Sequence, residues 1–262
     1  MEQQLQLRTF TFVAPSGYSY TIREENGEDE EILSNQADVQ SFKNITKFLA
    51  AIIVATDFTE NGKMSINDAF NIPYLDRYCI LIQSRIFSLG NILQFSYTWP
   101  GEKEPIYYEQ DLNELLFDDY SKPITQEEKD LKPDAIPQYP EQELCKTIHY
   151  KNYELALSSG KVVMFDFADG NAERAIALLP LDKRTRNSSL IARNLKLKVG
   201  EDFERVQRFN LFSIKDLAEI SQAITELEPT TDLTTEIENP TTGEKLRFPI
   251  MSAPRFFFLT EA

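Results

Sequence analysis

Asp57, Thr59, Asn61, Ser65 and Asp68 place side-chain oxygens at positions 1, 3, 5, 9 and 12 of a twelve-residue loop, the spacing of an EF-hand calcium site. Gly62 stands where such a loop must turn sharply, and Lys63 would contribute its carbonyl. Two positions depart from the pattern. Asp68 is shorter than the Glu that usually closes the site in bidentate fashion, and Thr59 stands where a carboxylate is usual. The second half of the chain holds no matching loop. The segment therefore reads as a calcium site of a regulatory protein or as a plain Asx-Gly turn between helices.

The acidic run Glu24-Glu25-Asn26-Gly27-Glu28-Asp29-Glu30-Glu31 admits a metal cluster or a docking patch for a basic partner. The simpler reading is a solvated helix start, where carboxylates complement the positive end of the helix dipole. His149 is the single histidine and lies four residues after Cys145, a spacing that puts thiol and imidazole on one helix face. An orienting acid and a glycine-rich oxyanion loop are both missing from their surroundings, as are GxGxxG, P-loop and GxSxG sequences. Catalysis therefore has no positive support, and the expectation is a non-enzymatic protein with no catalytic and no cofactor-binding residues.

Charge narrows the partners. The 262 residues carry 27 Lys and Arg against 42 Asp and Glu, a formal charge of −15, which repels phosphate backbones and anionic lipid and argues against nucleic-acid or membrane binding. Phe48 to Ala55, the longest purely apolar run, falls far short of the ~20 residues that span a bilayer. Cys79 and Cys145 have no second cysteine at metal-ligand spacing, so free thiols in a reducing compartment are expected.

Positioning elements recur. SGYSYTIREENGEDEEIL (Ser16 to Leu33) is echoed by SGKVVMFDFADGNAERAI (Ser159 to Ile176), which aligns Gly17 with Gly160, Gly27 with Gly170 and Glu30 with Glu173. Further on, Asp76, Leu93 and Pro100 recur as Asp216, Leu233 and Pro240, and a Gly-Glu-Lys follows each proline. Glycines, turn prolines and apolar periodicity persist while polar identities drift, the mark of a scaffold selected for shape.

Each copy reads as an opening β-hairpin (Leu7 to Ala14 with Tyr18 to Glu24; Tyr153 to Leu157 with Val162 to Phe167), then helices, then a closing hairpin (Ile92 to Thr98 with Ile106 to Gln110; Leu233 to Glu238 with Leu246 to Ile250). The helices expected between them are a first capped by Asn26-Gly27-Glu28-Asp29, then Asn44 to Ala55 and Pro73 to Leu89, matched by one capped by Asp169-Gly170-Asn171, Asn187 to Leu197 and Ser213 to Leu227. The fold class is α+β, in two tandem related modules, 1–117 and 144–262. Pro123, Pro133, Pro137 and Pro140 stiffen an acidic linker over 118–143 that should hold the modules apart.

Aromatic residues mark candidate contact surfaces. Trp99 with Tyr97, Tyr107 and Tyr108 makes an aromatic hairpin, a contact surface or plain cross-strand packing, and Phe256, Phe257 and Phe258 follow Pro254-Arg255. The last three either finish the second core or dock on a neighbour.

The opening SGYSYTIREENGEDEEIL, the segment IPYLDRYCILIQSRIFSLG (Ile72 to Gly90) with its Asp-Arg pair, and the close from FSIKDLAEIS to SAPRFFFL resemble the baseplate hub and tail assembly chaperone family of contractile-tailed bacteriophages. The resemblance spans most of the chain outside the linker. It implies a non-enzymatic tail protein, in the virion or in the host cytoplasm during assembly, that contacts other phage tail or baseplate proteins within a larger assembly. Members commonly carry Cys-x-x-Cys in the closing hairpin. Here Thr98-Trp99-Pro100-Gly101 and Glu238-Asn239-Pro240-Thr241 stand instead, which excludes a zinc site at those turns.

Overall fold

Residues 7–41, 43–115, 151–228, 231–252 and 256 are described by the structure, a computed structural model. The linker read at 118–143, together with Cys145, His149, Phe257 and Phe258, lies outside the described residues.

The first half opens on β1 (Thr9–Val13) and β2 (Ser19–Arg23), an antiparallel pair with Thr9 opposite Arg23 and Val13 opposite Ser19. Gly17 turns the chain between them at φ 81°, a backbone conformation that a side chain would strain. Asn26 caps α1 (Gly27–Ser34), and Asp29 closes the capping box by accepting from Asn26 N–H at 2.8 Å. Then come α2 (Gln36–Gln40), α3 (Asn44–Ile52), β3 (Ile53–Thr56), α4 (Ile66–Phe70), α5 (Tyr74–Leu89) and the closing hairpin β4 (Ile92–Tyr97) with β5 (Ile106–Asp111).

The second half runs in a similar order. It has β6 (Tyr153–Ala156), β7 (Val162–Phe165), α6 (Gly170–Ala177), α7 (Arg186–Ala192), β8 (Lys196–Val199), β9 (Asp202–Arg205), α8 (Ile214–Leu227) and the closing hairpin β10 (Thr234–Glu238) with β11 (Lys245–Pro249). The protein is thus α+β, and every strand pairing among the described residues is antiparallel. Among the described residues no helix is long and apolar enough to cross a membrane.

Two helices expected from periodicity end early. The run Asn44 to Ala55 is helical only through Ile52, and Ile53–Thr56 becomes β3, which pairs with β2. The β-branched Ile52-Ile53-Val54 stretch suits a pleated surface, and the free side of β2 offers it a ladder. In the same way Asn187 to Leu197 divides into α7 and β8, and β8 joins β7. Each half therefore holds a strand in its middle, which builds sheets ordered β1-β2-β3 and β6-β7-β8-β9.

Two buried clusters form the core. One gathers Tyr20, Ile22, Phe48, Leu49, Ile52, Ile80, Leu93 and Phe95 of the first half, and also Ile237, Ile250 and Phe256 of the second. The other gathers Val163, Phe165, Leu190, Leu195 and Ile220, together with Leu75 from α5. Each half lends side chains to the other's cluster, so the halves touch directly where the linker reading had spaced them apart. The closing hairpins meet face to face, with the rings of Phe95 and Phe248 stacked at 4.5 Å.

Candidate functional site

α5 carries two neighbouring charged residues, Asp76 and Arg77, both buried amid apolar neighbours. A helix projects successive side chains about 100° apart, so the two serve different contacts. Asp76 points at the opening hairpin. Ser16 N–H donates to its Oδ1 at 3.0 Å, Ser16 Oγ donates to its Oδ2, and Tyr20 OH donates to Oδ2 at 3.2 Å. Burial pushes the Asp76 carboxyl up to about 7, against the pull of those hydrogen bonds.

Asp216 stands at the matching place in α8 and faces the matching turn. Lys161 Nζ lies 2.7 Å from its Oδ2, Ser213 N–H donates at 2.8 Å, and the Ser159 side chain adds a further hydrogen bond. The lysine, then the serines, hold this carboxyl well below the usual range, and burial weighs less. A serine of the hairpin turn is thus tied to an aspartate three residues into the long helix in both halves.

Arg77 points the other way, into the seam between the halves. Its guanidinium donates to Ala69 O at 2.8 Å and to Thr46 Oγ1 at 3.1 Å, and its Nη2 lies 3.2 Å from Glu173 Oε2 across the seam. Tyr78 OH donates to Glu173 Oε1 at 3.0 Å. Burial first, then Glu173, keeps that phenol protonated far above its ordinary range. Tyr74 N–H donates to Ala168 O at 2.9 Å, and Asn171 Nδ2 donates to Phe70 O at 3.2 Å. Gly170 leaves room for the guanidinium: a Cβ there would sit 2.6 Å from Arg77 Nη1. Leu217 follows Asp216 in α8 where Arg77 follows Asp76 in α5, so the seam is a device of one half only.

Asp57, Thr59, Asn61 and Asp68 are engaged in local structure. Asp57 Oδ1 accepts from Ser19 N–H at 2.7 Å, which fastens the loop to β2. Thr59 Oγ1 donates to Lys63 O at 2.9 Å, and Asn61 Oδ1 accepts from Lys63 N–H at 2.9 Å. Asp68 completes a capping box with Ser65 at the start of α4. No group of three or more His, Cys, Asp or Glu among the described residues is arranged to hold a metal ion.

The aromatic contact residues separate. Trp99 is 2% exposed, and its Nε1–H donates to Tyr108 Oη at 2.8 Å, while Tyr108 OH donates to Glu238 O at 3.0 Å. Phe256 is buried in the first half's cluster. Both are internal contacts: of the two readings open for each, packing takes Trp99 in its hairpin and Phe256 in a core, and that core is the first half's where the second's was expected. Tyr107 remains outside at 74% exposure.

A cleft of about 470 Å³ lies in the second half, lined in part by Lys151, Asp166, Asp169, Lys183, Ser188 and Arg205. Its carboxylates are already bonded. Asp169 pairs with Lys151 at 2.6 Å and caps α6 through Ala172 N–H, and Asp166 Oδ1 accepts from Asn152 N–H at 2.7 Å. Ser188 closes the capping box of α7 with Thr185. These bonds make the lining a framework for the helix starts.

No protein-family model, curated protein or solved structure matches the chain.

Sequence reasoning aligned Asp76 with Asp216 and Glu30 with Glu173, but it missed what Arg77, Gly170 and Glu173 do together. A signal was present. Arg77 is a cation on a helix whose neighbouring turns read Leu-Asp-Arg-Tyr-Cys-Ile-Leu-Ile, and a charge among apolar residues requires a buried partner.

Proposed function

We propose that the chain is a non-enzymatic protein that works through protein-protein contacts, a structural component or assembly factor of a bacteriophage tail baseplate hub, built by duplication of one module. The observation that carries the scaffold reading is the repeated pin: Ser16 on Asp76 and Ser159 on Asp216 tie the hairpin turn to the long helix in both halves. Conserved geometry with changed chemistry, Tyr20 in one pin and Lys161 in the other, is what selection for shape produces. The resemblance of Ile72 to Gly90 and of the closing segment to the baseplate hub and assembly chaperone family supplies the context. A surface of net charge −15 favours basic or neutral protein partners over nucleic acid and membranes.

Mass spectrometry of purified phage particles, with infected-cell lysate alongside, tests the reading. A stoichiometric signal in particles identifies a virion component, and a signal confined to lysate that co-purifies with tail proteins identifies a transient assembly factor. A chain that co-purifies with no tail protein in either sample overturns the proposal.

A further inference from the structure

β1 forms one edge of the three-stranded sheet and pairs on one side only, with β2. The hydrogen bonds Glu24 N–H to Arg8 O and Ala14 N–H to Tyr18 O fix which residues face β2. Antiparallel pairs alternate, so Arg8, Phe10, Phe12 and Ala14 bond inward, while Thr9, Thr11 and Val13 turn their backbone N–H and C=O groups outward. No strand among the described residues takes up that row.

Edge strands are normally blunted by charge, proline or a bulge. The four-stranded sheet follows that rule, with Glu154 on β6 and Asp202, Glu204 and Arg205 on β9. Thr9–Val13 has none of these protections, and its register with β2 is unbroken. Phe10 and Val13 stay 38% and 42% exposed, and Phe10 is stacked on Phe12 at 5.8 Å and on Phe87 at 5.6 Å. An unbulged and partly apolar edge is thus open to a further strand.

Charge selects the occupant. Glu24, paired with Arg8 at one end of the strand, leads into the exposed Glu28, Glu30 and Glu31 of α1. A second copy would bring −15 against −15, whereas a strand with basic flanks is drawn to a protein of this net charge. We propose that the outer edge of β1 accepts, by strand addition, an extended segment of another protein in which alternating apolar and hydroxyl residues are flanked by Lys or Arg. The inference rests on the protein-contact reading above and names the surface and chemistry of one contact.

The probe is a ten-residue peptide of alternating Val and Thr with two lysines at each end, added to the full-length protein and read by residue-resolved amide exchange. Exchange at Thr9, Thr11 and Val13 is expected to slow about tenfold, and the protection should weaken as salt rises from about 50 to about 500 mM. Thr11→Pro removes an outward N–H and leaves the bonds to β2 in place, so it should abolish the protection while Phe10 and Phe12 amides stay slow. Thr11→Lys, which retains the N–H and repels the peptide, should weaken it and guards against misfolding of the proline variant. The proposal is overturned if the three amides are unaffected, if a Glu-flanked peptide protects equally, or if Thr11→Pro retains protection. Dimerisation of the protein through this edge without peptide would overturn it as well, because the occupant would then be a second copy. Particle composition is measured independently, so either reading can fail alone.

Discussion

Asp76 is met by the neutral donors Ser16 and Tyr20, whereas Asp216 is met by Lys161, and the two matched carboxyls respond to pH in opposite senses. The folded Asp76 binds its proton more tightly than an unfolded Asp, up to about 7 from 3.8. Its contribution to stability is therefore complete below pH 3.8 and is lost as pH rises through 7. Half-buried Glu25, raised by desolvation, adds in the same direction. Asp216 is depressed, so its contribution is present above the ordinary carboxylate range and disappears as acid protonates it. Thermal melts should show higher stability near pH 5.5 than near pH 8. Asp76→Asn should flatten that slope by on the order of 2 kcal/mol, and an unchanged slope would place the titration elsewhere. The buried Cys79 thiol, pushed far up by desolvation, should resist alkylation until the protein unfolds.

At the scale of elements, Gly27 and Gly170 make a matched pair, each the first residue of the helix after an opening hairpin. A Cβ at Gly27 meets nothing within 4 Å, while one at Gly170 meets Arg77 Nη1 at 2.6 Å and Phe70 O at 3.1 Å. Gly27→Ala should stabilise by about 0.5 kcal/mol through reduced unfolded-state entropy. Gly170→Ala should destabilise by about 1–3 kcal/mol, since the seam must open to admit the methyl group. Equal effects in denaturant melts would show that the seam is slack. The hairpins and several helices were legible in the sequence because Gly, Pro and capping residues mark their ends locally, as Asn26 and Ser213 do. β3 was hidden, because Ile53 belongs to an apolar run that fits helix or strand alike, and only the free side of a neighbouring strand decides between them. β8 did carry a signal, the alternation Leu195-Lys196-Leu197-Lys198-Val199, which the helix reading over Asn187 to Leu197 passed over.

On the scale of the whole molecule, the halves are joined by apolar packing of the closing hairpins and by the polar seam around Arg77. Phe256→Ala should therefore lower the stability of the first half by about 3–5 kcal/mol, with Tyr20 and Trp99 fluorescence reporting the same transition as the second half's α8. Two independent calorimetric transitions, with only the later-sequence one shifted, would contradict the shared core. None of this joining was visible beforehand. Periodicity reports that Ile237 and Phe248 have a buried face, but it says nothing of which neighbour covers that face. The same holds for the candidate contacts: Trp99 and Tyr107 look alike in sequence and end on opposite sides of one hairpin.

The burial of Phe256 in one cluster with Leu93 and Leu112 also sets a schedule for the newborn polypeptide. A ribosome adding about 5–20 residues per second delivers Phe256 on the order of ten seconds after Leu112 has emerged. Until then the early portion waits with an unfilled apolar gap, open to chaperones or to premature association.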